Sequence, residues 1–405
     1  IGRLQKQGYR FKTRNYNDFK ISEISSEGKT LTFIFYKNFF LASFTPYLIE
    51  DAIRVISDSE LPSFKEKFSE LNDTGTQGVV TIHMNYEKAG ELLGAFTPQD
   101  QGFSMTAGNY DLMLDSSFLQ FSGFSYATKN GWMDTHDEQP TTFDMAEVIP
   151  ENTAHLLHIT SSNMTGWKDK QISFVRSKYP DVKNLQDSLK SQYDFNVDQV
   201  FDLVDEEIGV ATLESPRARD KQKLMILEVK NIQESLDFFG QLTQRIALAR
   251  GDSVYSESYS DNEIRFLAIR NFPSTLLGDM ADGFDQCFYI SYRNYLIFSN
   301  DLQELKNLIA SVQEEDTWGK SIQMNNFFSR TNNAANISLF VNVPRAWDNI
   351  SSALKSEWQE HFKQNTNTYR SIELAAFQYS YVDGQYFTNY TFTQPVKRRS
   401  SIPKT

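Results

Sequence analysis

The chain has 405 residues, a formal net charge of -12, 40% hydrophobic residues and 23% charged residues. That length holds two domains with separate cores, and the composition is that of a soluble folded chain, neither disordered nor membrane-embedded. The negative charge opposes phosphate backbones and so argues against nucleic acid as a partner, and the single cysteine, Cys287, excludes an intramolecular disulfide and a Cys-rich zinc site.

No apolar stretch reaches the ~18–20 residues needed to cross a membrane. The best, residues 31–44, is broken by Lys37-Asn38. The chain opens on Ile1-Gly2-Arg3-Leu4-Gln5-Lys6, with no initiator Met and no signal-peptide pattern, so the expectation is a segment that starts inside a longer protein.

In chain order, the first elements form a hairpin followed by a helix. Residues 31–36 read as a strand, Lys37-Asn38 as its turn, and Phe39-Phe40-Leu41-Ala42-Ser43 as the return strand. Asn tolerates positive φ, which suits it to that turn. Thr45 then caps a helix with Pro46 at its first position and Ile49, Ala52, Ile53 and Ile56 on one face. A strand over residues 80–86 ends on Asn85, a short helix follows with Ala89, and two strands close this part over 110–114 and 118–126. The polar stretch 129–142, with Gly131 and Pro140, reads as a linker.

Beyond it, strands are expected over 154–159, 208–213 and 224–229. One amphipathic helix runs through Val197, Val200, Phe201 and Val204, and another is capped by Asn231 with Glu234. From there the first pattern returns. Tyr292-Arg293-Asn294-Tyr295-Leu296-Ile297-Phe298-Ser299 matches residues 36–43 in class, and Leu305, Leu308, Ile309 and Val312 repeat the helical stripe, with Asn300 as the expected cap. Residues 337–343 match 80–86, with Asn342 opposite Asn85 and Ala346 opposite Ala89. A long helix carrying Trp347, Ile350, Leu354, Trp358 and Phe362 follows, then strands at 372–381 and 386–393 around an Asp383-Gly384 turn. Upstream, Tyr16-Asn17-Asp18 resembles Tyr259-Ser260-Asp261, and nothing in the first copy answers to residues 148–250.

The fold class that follows is α+β: two tandem related modules, each an antiparallel sheet with helices packed mainly on one face. The first module, N-terminally truncated, covers 1–126. A linker covers 127–146, the full-length second module 147–394, and a tail with Lys397-Arg398-Arg399 covers 395–405. The truncation predicts further residues upstream of Ile1, beginning in a strand, because half a sheet leaves an open edge.

No phosphate loop, dinucleotide fingerprint, H-E-x-x-H or nucleophile-elbow motif is present. His155 and His158 are three apart on a strand and so point to opposite faces. His83 lies opposite Phe340 in the repeat, a core or strand position, and His361 lies near the end of the long helix. Asp134-Thr135-His136-Asp137-Glu138 is the densest set of potential ligands but lacks the spacing of a calcium loop and reads as solvated linker. Asp198, Asp202, Asp205, Glu206 and Glu207 read as a charged solvent face, and Cys287 as a buried core residue. Asn163-Met164-Thr165 and Asn72-Asp73-Thr74 are chance triplets in an Asn-rich chain. The reading therefore assigns no catalytic, cofactor or metal residue, no cofactor and no enzymatic activity.

Ile149-Pro150-Glu151-Asn152-Thr153-Ala154 leading into a strand, and the hairpin-then-helix of 288–312, resemble an uncharacterised repeat family of bacterial envelope proteins. The Phe-, Tyr- and Asn-rich style is similar to its Bacteroidota members, which often carry an N-terminal membrane anchor and sometimes a C-terminal β-propeller. The resemblance implies a periplasmic or otherwise extracytoplasmic location and brings no catalytic residues. The expected role is a non-enzymatic interaction or scaffold region of a larger envelope protein, with other envelope proteins or other domains of the same chain as partners. The alternatives are a carrier of apolar ligands such as lipid or lipoprotein acyl chains, walled by the Trp347/Trp358 helix, and an enzyme of unrecognised type.

Overall fold

The structure is a computed structural model that describes residues 9–26, 28–57, 80–86, 88–89, 105–115, 117–214 and 221–394. The basic tail and Asn72 lie outside the described residues. The fold is mixed α+β with antiparallel sheets, as the patterning predicts. Two compact units form, residues 1–69 and 70–405.

The first unit is a four-stranded up-and-down sheet of β1 (Arg10–Tyr16), β2 (Phe19–Ser26), β3 (Lys29–Tyr36) and β4 (Phe39–Ser43). Helix α1 (Pro46–Ser57) lays Ile49 and Ile53 against Ile21 and Ile34, closing a small core on one face. Arg14 ties sheet to helix, pairing with Glu23 at 2.9 Å and Glu50 at 2.6 Å.

The second unit holds a 13-stranded sheet. Its strands are β5 (Val80–Asn85), β6 (Met105–Leu114), β7 (Phe118–Ala127), β8 (Thr153–Thr160), β9 (Val204–Leu213), β10 (Lys223–Val229), β11 (Ser256–Tyr259), β12 (Asn262–Phe266), β13 (Phe288–Tyr292), β14 (Tyr295–Ser299), β15 (Ile337–Asn342), β16 (Leu374–Val382) and β17 (Gln385–Thr393). Across the sheet the order is β11-β12-β13-β14-β10-β9-β8-β15-β16-β17-β7-β6-β5. Strands β8, β9, β10 and β14 carry apolar residues at both parities, and each parity builds its own core. One core takes Ile159, Val210, Met225, Leu296 and Phe298 with residues of five helices: α2 (Met164–Lys178), α3 (Pro180–Tyr193), α4 (Asp198–Leu203), α5 (Ile232–Arg250) and α6 (Ser274–Leu277). The other takes Leu156, Ala211, Ile226 and Ile297 with α7 (Leu302–Gln313) and α8 (Ile322–Phe328). Helices thus lie mainly on one face, with a minority on the other.

The two hairpin-plus-helix segments agree in detail. Phe35 pairs with Phe40 and Tyr36 with Phe39; Ser291 pairs with Leu296 and Tyr292 with Tyr295. Each leads into a 12-residue helix. The Ser43 hydroxyl accepts from Thr45 N at 3.0 Å, and the Ser299 hydroxyl from Asp301 N at 3.1 Å. The preceding turns match as well: Asn17-Asp18 have φ of 43° and 63°, Ser260-Asp261 of 45° and 61°.

Two local expectations are corrected. Positive φ in the hairpin turns belongs to Lys37 (50°) and Arg293 (54°), not to the asparagines. The first turn position bends left-handed, at about 1 kcal/mol for a residue with a Cβ. Asn294 works on the neighbouring strand instead, its carbonyl accepting from Val229 N and its Nδ2 donating to Glu228. The cap of α7 is Asp301, which accepts from Gln303 N and Glu304 N, while Asn300 holds Lys223 N, Lys221 O and Gly283 O. Asn85 and Asn342 do cap, accepting from Lys88 N and Arg345 N, and so does Asn231.

The expected long helix is three helices, α9 (Val343–Ser352), α10 (Ser356–Gln364) and α11 (Thr366–Tyr369). Ser351 and Ser352 bond back to Asp348 O and Asn349 O, and Lys355 turns extended. Such hydroxyls compete with the helix ladder. Trp347 and Trp358 are consequently half-buried rather than core residues. Trp347 packs 6.1 Å from Phe362 and 6.4 Å from Tyr369, whose rings stack at 4.1 Å.

The seam of the large sheet is the antiparallel pair β7·β17, running from Phe118↔Thr393 to Ser125↔Tyr386. Directly paired residues share a face. One row therefore runs Thr81, Asp111, Ser122, Asn389, Gln378, Ser338, His158 across seven strands, and all but Thr81 are buried. Within it Thr81 donates to Asp111 at 2.9 Å, Ser122 to Asn389 Oδ1 at 2.7 Å, and Gln378 to Ser338 at 3.3 Å. Gln120 adds a second bond to Asn389 Oδ1 at 2.8 Å. Asn389→Ala is expected to lower unfolding free energy by about 1–3 kcal/mol and Ser122→Ala by about 1 kcal/mol. In urea titrations the double variant should cost less than the sum by at least ~0.5 kcal/mol; strict additivity would show that the two side chains share nothing.

Candidate functional site

Three places collect chemistry-bearing side chains. The first continues the polar row. His158, on β8, places Nε2 2.9 Å from Glu207 Oε1, and both side chains are buried. Glu207 also accepts from Asp144 N at 2.8 Å and Tyr295 OH at 3.3 Å. The Phe143 ring lies 4.7 Å from the imidazole, and His158 Nδ1 has no hydrogen-bond partner. Glu207 was expected on a solvent face with its acidic neighbours. Asp202, Asp205 and Glu206 are exposed, but Glu207 pairs with Thr160 of β8 and takes the inward face that Ala211 and Leu213 continue. Period-two alternation places Glu207 on one face with Gly209, Ala211 and Leu213, and that is the signal by which the sequence could have shown it.

Beside this pair, Glu228 is held protonated up to about pH 7, by burial first and then by repulsion from Glu207 and Asp205. Two carboxylates, an imidazole and a phenol therefore converge; among the described residues no group of three or more His, Cys, Asp or Glu could hold a metal ion.

The second place is 134–138. It is not the solvated linker expected, since Met133, Thr135 and His136 are buried. His136 is buried between Trp132 at 4.8 Å and Trp167 at 5.0 Å, and burial pushes its pKa down to about 3. Tyr386 OH donates to Met133 O at 2.6 Å and also to His136 O, fastening the segment to β17. Asp137 pairs with Lys170, and Asp134 accepts from Asn130 N.

His155 points away from His158, as strand spacing requires, and burial lowers its pKa to about 4. His361 is exposed on α10, His83 is exposed on β5 with Nδ1 2.7 Å from Asn109, and Cys287 is buried with its thiol pKa raised by burial. Asn163, read as part of a chance triplet, caps α2 through Gly166 N.

The third place is an open groove of about 670 Å³ at the end of the β7·β17 seam. Phe327 and Leu374 floor it, Gln323, Asn326, Arg330 and Gln394 offer donors and acceptors, and Ile322 stands at its rim 81% exposed. Arg330 donates to Ser117 at 2.9 Å and covers the Phe118 ring at 5.0 Å. A neighbouring hollow of about 300 Å³ shares Gln323 and Glu373 and adds Arg345, Arg370 and Glu214. Arg345 bonds Glu214 at 2.7 Å and lies 3.8 Å from Glu151. The surface is apolar at its floor and mixed in charge at its rim.

These features define an antiparallel α+β protein whose buried polar groups join strands. Residues 204–376, from the start of β9 to Ala376 in β16, match the family described as "Protein of unknown function (DUF3352)", so the chain carries an uncharacterised domain. No curated protein and no solved structure matches the chain. Among the described residues no helix is long and apolar enough to cross a membrane, which says nothing of strands.

The carboxylate cluster sets a pH dependence. Folded Glu228 keeps its proton to about pH 7 while the unfolded carboxyl loses it near 4.5, so stability falls as pH rises between those values. His136, neutral when folded down to about pH 3 but protonated below 6.5 when unfolded, removes stability as pH falls below 6.5. In chemical denaturation Glu228→Gln should equal the parent at pH 4.5 and exceed it by about 1–3 kcal/mol at pH 8. An unchanged difference across that range would place Glu228 in water.

Proposed function

We propose that this chain is a non-enzymatic interaction or scaffold region of a larger bacterial cell-envelope protein of Bacteroidota type, built from two copies of one module. The observation that carries this reading is what the two copies have in common. Equivalent positions are turn residues (Lys37 and Arg293), hydroxyls that hold the chain before a helix (Ser43 and Ser299), caps (Asn85 and Asn342) and core residues (Ile53 and Ile309). Duplication of this kind preserves a frame, whereas a duplicated enzyme would be expected to keep at least one reacting constellation in both halves.

The buried polar groups support the same reading. Asn389, Gln378, Ser122 and Glu207 spend their hydrogen bonds on neighbouring strands, which fixes register and rigidity. The groove at Gln323 and Arg330 then presents polar side chains on a rigid edge to another envelope protein or to another domain of the same polypeptide. The wall imagined for an apolar carrier is weakened, because the Trp347 ring is engaged by Phe362 and Tyr369. The extracytoplasmic location rests on the family resemblance.

The test is a photo-crosslinking residue at Ile322 or Gln323 of the full-length protein in its own host, with Leu248 as an exposed control position. The expected result is a discrete adduct with an envelope-fraction protein, or within the same polypeptide, from 322 and 323 and none from 248. Fractionation with the cytosol, or stoichiometric acyl lipid retained by the purified chain in native mass spectrometry, would overturn the scaffold reading.

A further inference from the structure

On the outer face of the first unit's sheet, the part formed by β3 and β4 is apolar and exposed. Phe35 is 73% exposed and Phe40 56%, although they are directly paired and 5.0 Å apart, and Phe33 leans on both, 6.0 and 5.4 Å away. Ala42 continues the row, and β4 pairs only with β3 among the described residues. Open edges and large apolar patches are both features that natural proteins cover.

The second unit displays the cover. By the residue matching above, Phe33, Phe40 and Ala42 correspond to Tyr289, Leu296 and Phe298, which are all fully buried. Phe239 of α5 closes over them, 5.8 Å from Tyr289 and 5.2 Å from Phe298. The edge corresponding to β4 is β14, and β10 pairs along it from Leu224↔Ser299 to Glu228↔Tyr295. The covering parts are thus one strand and the helix that follows it, and they immediately precede β11 in the chain. The turn match of Asn17-Asp18 with Ser260-Asp261 also sets Gly8 opposite Gly251, the left-handed glycine that ends α5.

We infer that the β4 edge and the Phe33/Phe35/Phe40 face are the seat of a strand–helix segment of the β10–α5 kind, supplied by the same polypeptide N-terminal to Ile1. The strand adds to β4 by main-chain hydrogen bonds, and the apolar side of the helix lies on the three phenylalanines. This inference rests on the duplication proposed above. The three phenylalanines carry no charge, so their occupant is recognised by a backbone edge and an apolar helix side.

The experiment compares the 405-residue chain with the same chain extended upstream by its natural coding sequence. Hydrogen exchange of the β4 amides, residues 39–43, is expected to slow by about tenfold or more in the extended chain. A dye that fluoresces on apolar surfaces should bind the 405-residue chain, and both the extension and the Phe35→Asp/Phe40→Asp pair should abolish the signal. Those two side chains point to solvent, so the paired variant keeps the Ile21–Ile34–Ile49–Ile53 core intact. Upstream residues that lack a strand followed by an amphipathic helix would contradict the duplication itself. A strand–helix pattern that leaves β4 exchange unchanged would overturn the docking alone. Self-association of the 405-residue chain that depends on Phe35 and Phe40 and persists in the extended chain would make a second copy the occupant and also overturn it.

Discussion

The large sheet depends on the antiparallel pairing of β7 with β17. Each belongs to a three-stranded set, β5-β6-β7 and β15-β16-β17, and each would otherwise present a bare row of N–H and C=O groups along most of its length. Pairing the two edges satisfies both rows at once. The residue matching places Ser122 and Asn389 at equivalent positions of the two sets, and they lie opposite each other with a 2.7 Å bond. The seam therefore has local two-fold character centred on a buried hydroxyl and a buried amide. A polar pair of this sort tolerates one register only, because a one-residue slip would leave both groups buried without partners.

From that seam the polar row leads through Gln378 and Ser338 to His158 and Glu207, and the two large cores begin beyond it on opposite faces. On the other face the seam carries a tyrosine group. Tyr86 bonds Tyr390 at 2.7 Å and Tyr379 bonds Tyr390 at 3.0 Å, and burial raises the pKa of each. These hydroxyls stay protonated at any ordinary pH and act as hydrogen-bonding cement. Chemically capable side chains are plentiful in this molecule, and the geometry commits them to one another. The groove beside Arg330 leaves polar side chains at the surface, and the open face of the small sheet leaves apolar ones.

Much of this was legible in the sequence where period and turn chemistry agree. The stripes at Ile49/Ile53 and Leu305/Leu308/Ile309, the Asn231 cap and the strands of the second module all follow local rules. Helices α2 and α3 were not seen, because their inward stripes contain Gln171 and Gln186. These are buried amides that donate to Leu276 O and Thr275 O, partners far away in sequence. The break after Ser352 was missed because the apolar spacing continues through it while the serine hydroxyls end the helix. Glu207 hid in an acidic run, since its burial depends on partners far away in sequence, Thr160 across the strand pair and His158, Asp144 and Tyr295 by hydrogen bond. Least legible was the seam: nothing local to residues 118–127 announces a partner at 385–393. It also explains why the compact units divide at 69/70 while the sequence modules divide near 126, since pairing carries β5, β6 and β7 into the larger sheet.

The claim at the centre of this account is that the seam makes one cooperative sheet of two sets of strands. Native-state hydrogen exchange across a denaturant series reads it directly. The account predicts that amides of β6 and β7 and those of β16 and β17 open together, with one free energy and one denaturant slope. If β5, β6 and β7 exchanged through a separate, lower-energy opening while β16 and β17 stayed protected, the seam would be a contact between independent parts, and the account would be wrong.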